Sequence, residues 1–192
     1  MLPFFTNIQV ARDLSETVYI NLFEVTMTLP KLLQKNFPNA THILLENCKS
    51  APMPTYPAFQ LATQKFKYST RLFVQTPESS SLDTLSFDFE LNQNVNNQLE
   101  VWDILKNWYD LGWKQSDGTL HYKRNMIGDI VVNHHDREGH IIRRVTYFNV
   151  MLKNVSGMES LNWGESGIMS IKADFCCDYW DDFYFSANST AV

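Results

Sequence analysis

The most metal-like run in the chain is His134-His135-Asp136. Imidazole and carboxylate are the usual donors to zinc, but ligands must converge on one point. On a strand, adjacent side chains face opposite ways, so two neighbouring histidines do not share an ion. The run also passes into Asp136-Arg137-Glu138-Gly139, a turn signal in which polar residues are expected. Cys176 and Cys177 are adjacent, and neighbouring cysteines rarely satisfy disulfide geometry. With Cys48 they read as free thiols, as in a reducing compartment. A nucleophilic cysteine needs a nearby base and an orienting group, and no spacing here supplies them. Asp178, Asp181 and Asp182 raise the question of a cation site, but a solvated strand end accounts for them more simply. Lys65, Phe66, Lys67, Tyr68 and Arg71 interleave cations with aromatics, the composition of a single-strand nucleic-acid groove. Against that, 16 basic residues face 21 acidic ones, for a net charge of -5. Tight phosphate binding needs Lys and Arg in excess, so these five residues are read as a polar arm that meets another subunit. No glycine-rich phosphate loop occurs. The expectation is a chain without a catalytic, metal or cofactor site, and not an enzyme.

The elements that carry these residues are mostly strands. A first strand is expected over 17–29, stopped by Pro30, which then opens one short helical turn. A second strand is expected over 41–47. Pro52, Pro54 and Pro57 make 48–57 an extended connector. Residues 58–82 form an extended arm or hairpin. The clearest strand is Leu85-Ser86-Phe87-Asp88-Phe89-Glu90-Leu91, apolar on one face and polar on the other. Leu99, Trp102, Leu105, Trp108 and Tyr109 recur at helical spacing, predicting a helix over 98–111 with Asn97 as its N-cap, Glu100 completing a capping box and Gly112 as its stop. Residues 129–133 and 141–148 then form a hairpin around the Gly139 turn. Residues 154–166 are expected to be a loop, and 168–179 one final strand. The remainder divides into an N-terminal arm (1–17), a β domain (18–185) and a flexible tail (186–192). The fold class is mostly β, a small barrel or sandwich with one internal helix and extended arms.

At 192 residues, with 44% hydrophobic and 14% aromatic content, the chain has enough apolar material for one sizeable core. No apolar run approaches the roughly 20 residues that span a bilayer. The first residues lack the basic segment of a secretion signal, so residence in a cytoplasm is expected.

In order, the segments resemble the tail tube proteins of contractile-tailed phages. Asn21-Leu22-Phe23-Glu24-Val25 resembles that family's opening strand, and Cys48-Lys49 followed by Pro54 its strand end and proline-bearing connector. Residues 85–92 are similar to the strand before its single helix, which Trp108 fits. Tyr122-Lys123 falls where β structure resumes, Asn154-Val155 and Leu161-Asn162-Trp163 resemble the loop before the last strand, and Asp178-Tyr179-Trp180 the closing motif. The resemblance covers about residues 18–181. Residues 30–40 and those beyond Asp181 look like additions.

The resemblance implies a homo-hexameric ring whose sheets join into one inner barrel, with rings stacking into a tube. The implied partners are a tail sheath protein, a tape measure protein, baseplate and tail-terminator proteins, and DNA that passes through the lumen without specific binding. Asp88 and Glu90 are the lumen candidates, since an acidic or neutral wall does not hold phosphates. Lys65, Phe66, Lys67, Tyr68 and Arg71 are the inter-subunit arm candidates. Other readings stay open: a baseplate or tail-end tube component (initiator or terminator) of the same fold, a type VI secretion ring protein, or a monomeric β-barrel that binds a small ligand.

Overall fold

The computed structural model describes residues 22–54, 56, 61–74, 84–94, 98–114, 116–157 and 168–185. The expected N-terminal arm, the tail, Asn97 and most of the loop at 154–166 lie outside the described residues.

Strand β1 (Phe23–Thr28) leads into two short helices, α1 (Lys31–Asn36) and α2 (Ala40–Asn47), and then β2 (Cys48–Ser50). A hairpin of β3 (Leu61–Phe66) and β4 (Ser69–Val74) follows, then β5 (Leu85–Glu90) and the long helix α3 (Glu100–Gly112). After a small hairpin, β6 (Trp113–Lys114) and β7 (Thr119–Leu120), a 3-10 turn at Lys123–Asn125 leads into β8 (Gly128–His135), β9 (Ile141–Ser156), β10 (Ser170–Cys176) and β11 (Tyr179–Tyr184).

Seven strands form one curled antiparallel sheet in the order β1-β8-β9-β10-β5-β2, with β11 also on β9. The 16-residue β9 serves both halves. Residues 143–148 pair with β11, and residues 151–156 pair with β10. The change of partner falls at Asn149, which has φ 54°. Asparagine tolerates this left-handed conformation better than most residues. The Asp129 carboxylate fixes it by accepting the Asn149 backbone N–H at 3.0 Å.

The curl encloses the core. In β5, Leu85, Phe87 and Phe89 are buried while Ser86, Asp88 and Glu90 face the other way, as the alternation predicts. Ile171, Ala173 and Phe175 of β10 line the same face in register with Phe89, Phe87 and Leu85. Helix α3 closes this side with Val101, Ile104, Leu105 and Trp108, spaced so that they share one stripe. Trp108 lies 5.2 Å from the Phe175 ring, and its indole N–H donates to Met126 O at 2.9 Å. That bond satisfies the polar edge of an otherwise buried side chain.

Several expectations change. Residues 41–47 are helical, not a strand. Ala40 and Leu44, four apart, face inward and bury fully, and Thr41 Oγ1 donates to Met27 O at 3.0 Å, fastening α2 to β1. Pro30 stands before α1 as its cap rather than as its first residue. Helix α3 begins at Glu100 with Leu99 as a cap that offers no side-chain bond. Its approach is closed instead by Asn94, whose Oδ1 accepts the Gln98 N–H at 3.0 Å and whose Nδ2 donates to Glu100 at 3.0 Å. Gly112 is the last helical residue, and Trp113 ends the helix by turning extended. Residues 154–156, expected in a loop, continue β9. The expected last strand is two: the chain breaks at Cys177-Asp178, and residues beyond Asp181 complete β11 rather than hang as an addition. Lys123, expected where β structure resumes, lies in a 3-10 turn.

Candidate assembly surface

Four strands, β1-β8-β9-β11, make one half of the sheet, and among the described residues neither β1 nor β11 has a second strand partner. An unpaired edge presents free N–H and C=O groups and invites another chain. The β11 edge is strongly aromatic: Tyr179, Phe183 and Tyr184 are 54%, 52% and 64% exposed. Tyr179 stacks on Phe148 at 4.6 Å, and Phe183 meets Phe185 edge-on at 4.9 Å.

Beneath β11 lies a polar cluster. Asp182 is not a solvated strand end, as the sequence reading held; its side chain is 3% exposed and Arg143 of β9 grips it with two bonds, Nε to Oδ1 at 2.8 Å and Nη2 to Oδ2 at 2.7 Å. The guanidinium holds the Asp182 carboxyl below the usual carboxylate range. Tyr56 Oη also donates to Asp182 at 3.1 Å, and the Tyr56 ring packs edge-on against Trp180 at 4.8 Å. Tyr147 Oη donates to Pro52 O at 3.0 Å. The proline-bearing connector is thereby strapped to β9 and β11. His134 lies beside this cluster in register with Arg143, and its Nε2 is buried without a hydrogen-bond partner. Burial, and then the Arg143 cation, lower its pKa. Asp178 is paired too, with Lys123 Nζ at 2.5 Å.

From that connector the chain enters the β3–β4 hairpin. Its register is regular, from Leu61 opposite Val74 to Phe66 opposite Ser69. Lys65, Phe66, Lys67, Tyr68 and Arg71 are all exposed here, with Lys67 5.5 Å above the Tyr68 ring and Arg71 5.4 Å above Phe66. Leu61, Leu72, Phe73 and Val74, within the arm expected over 58–82, are also exposed, at 46–67%. A two-stranded hairpin with both faces open is marginal in water, so this one fits a role in which another surface covers it.

Asp88 and Glu90 share the polar face of β5, but neither is a bare charge. Ser50 Oγ donates to Asp88 Oδ2 at 2.9 Å, Lys49 pairs with Glu90, and Lys172 is in register with Asp88.

No group of three or more metal-ligating side chains converges among the described residues. The structure separates His134, beside Arg143, from His135, which contacts Gly139 O at 3.1 Å and Glu24 at 3.5 Å. The three cysteines are free thiols. Burial pushes Cys48 up to about 12 and Cys177 to about 11, leaving little thiolate for nucleophilic chemistry. No helix among the described residues is long and apolar enough to cross a membrane.

No family model matches the chain, and no curated protein matches it. Solved structures do. A chain of the anti-feeding prophage cap, which terminates its tube, superposes with a TM-score of 0.58 at 9% identity, covering 90% of this chain and 94% of that one. A chain of the sheath/tube terminator of an extracellular contractile injection system (PVC) gives 0.55 at 8% identity, covering 88% and 99%. A chain of the sheath-tube complex of that type of system gives 0.54 at 9% identity, covering 93% and 97%. The fold is that of the tail tube-like proteins of contractile injection systems. These three structures are described as cap, terminator and sheath-tube components.

Proposed function

We propose that this chain is a structural subunit of a phage tail tube, assembling into stacked hexameric rings whose lumen conducts DNA. The observation that carries the reading is the half-sheet with two open edges, one of them aromatic. Setting β11 of one copy against β1 of the next is a head-to-tail contact, which closes into a ring when its rotation divides a full turn. Ring closure removes the edges that make a lone subunit prone to aggregate. The exposed β3–β4 hairpin then reaches beyond its own subunit, with Phe66, Tyr68 and their flanking Lys65, Lys67 and Arg71 as contacts to a neighbouring copy. In a ring closed through β1 and β11 the barrel wall is the half-sheet β1-β8-β9-β11, and β5 belongs to the other half, so its polar face, with Asp88 and Glu90 beside Lys49 and Lys172, looks away from the lumen. A sheath protein would surround the tube, a tape measure protein would occupy it during assembly, and baseplate and terminator proteins would close its ends. The assembled site is the virion tail.

Negative-stain electron microscopy of the concentrated protein tests this. Rings or tubes with six-fold top views are expected. A particle that stays a single subunit at high concentration overturns the proposal. Rings that never extend would identify the terminator or initiator role instead of the main tube.

A further inference from the structure

At one end of β8 lies a half-open groove of about 640 Å³, formed where β1, α1 and the 3-10 turn meet Gly128. Its rim carries two cations, Lys31 and Arg124, one carboxylate, Asp129, and the apolar Leu32, which is 50% exposed. The groove is a fixed feature of the backbone. A Cβ on Gly128 would fall 2.1 Å from Thr28 O, so only glycine lets β1 and β8 close to this distance.

At the opposite end of the same strand is the β8–β9 turn. It carries the reverse charge set, two carboxylates (Asp136 and Glu138) and one guanidinium (Arg137). The turn is rigid. Asp136 Oδ1 accepts the backbone N–H of Glu138 at 2.9 Å and of His140 at 2.8 Å, and Gly139 takes φ 88°. The Glu138 side chain is 81% exposed at the tip.

We infer that the β8–β9 turn of one copy seats in the Lys31/Arg124 groove of a second copy, in the adjacent ring. Eight residues of strand separate the two features by about 25 Å. Strands in a barrel wall tilt about 35–45° from its axis, so the two features also stand well apart along that axis. A knob and a socket at opposite ends of one subunit, with complementary charge, make a head-to-tail contact that repeats without limit. A turn already held by its own hydrogen bonds loses little freedom on docking. The groove volume, many times the roughly 30 Å³ of one water, suits a turn better than an ion. The inference rests on the stacked-ring reading above.

The test is a charge swap. Arg124→Glu and Glu138→Arg are made singly and together, with circular dichroism as the check on folding. Each single variant is expected to form rings as wild type does, while the protein concentration needed for tubes rises at least tenfold. The double variant, which restores opposite charges across the contact, is expected to recover tubes to within about threefold of wild type. Single variants that stack normally would overturn the inference, as would a double variant that forms rings but stacks no better than either single one. Wild-type protein that forms no rings overturns the stacked-ring reading itself, and this contact with it.

Discussion

Phe183→Ala tests the lateral contact most directly. The ring is 52% exposed on the β11 edge, touching Phe185 but no buried core residue in the ring contacts described. A phenylalanine side chain offers roughly 200 Å², so about 100 Å² is available to a neighbour. At about 25 cal/mol per Å², covering it stabilises each lateral contact by about 2.5 kcal/mol. In a ring there is one such contact per subunit, and tenfold in an equilibrium constant corresponds to about 1.4 kcal/mol. The critical concentration for assembly should therefore rise about 60-fold. If the neighbour covers only half of the exposed area, the rise is still about eightfold. Light scattering across a concentration series, with micrographs at each plateau, reads this number. Urea unfolding of the unassembled subunit should move little, because the removed atoms are already half in water. A critical concentration within twofold of wild type, with the fold intact, would refute the assignment of β11 as a lateral edge.

Asp182→Asn should behave differently, as a fold mutation. It leaves the Arg143 guanidinium with a neutral partner in a nearly dry site, and breaking such a pair costs about 3–5 kcal/mol; thermal unfolding should fall by several degrees or more. Because Asp182 titrates below its unfolded value, its contribution is complete above about pH 4 and is lost as pH drops through the folded pKa. Acid unfolding of the wild type and the variant should converge at low pH, and a constant gap between them down to the lowest pH would remove Asp182 as the cause. Replacing both Asp88 and Glu90 by Lys should leave tubes and DNA delivery unchanged, because a ring closed through β1 and β11 turns this face outward. Slowed delivery with intact tubes would put β5 at the lumen and refute closure through β1 and β11.

Legibility in the sequence followed the range of the interactions involved. The β5 alternation, the stripe Leu105-Trp108 and the Gly139 turn are local patterns, and each produced its element. Residues 41–47 misled because Thr41 and Ile43 are β-branched and the run is short. What makes it a helix is distant: β1 and α3 offer a slot for Ala40 and Leu44, and Met27 O accepts from Thr41. The break between β10 and β11 carries no glycine or proline at Cys177-Asp178, so one long strand was the natural reading. Asp182 looked like an exposed acid because its partner, Arg143, is 39 residues away. Alternation of Trp180, Asp182 and Tyr184 was the available signal, since it put the aspartate on the same side as two aromatic rings. The paired state of Asp88 and Glu90 was hidden for the same reason, as Lys49 and Ser50 lie on the neighbouring strand β2, 38 residues or more earlier in the chain.

The partner exchange along β9 has a mechanical consequence. A single strand about 50 Å long belongs to both halves of the subunit, so neither half can swing without bending that shared spine. Force applied along the strand falls on many ladder bonds at once, in shear, rather than opening them one after another. Each subunit should thus act as a stiff stave, and a tube built from such staves would carry a thrust from one end to the other with little loss to internal hinging.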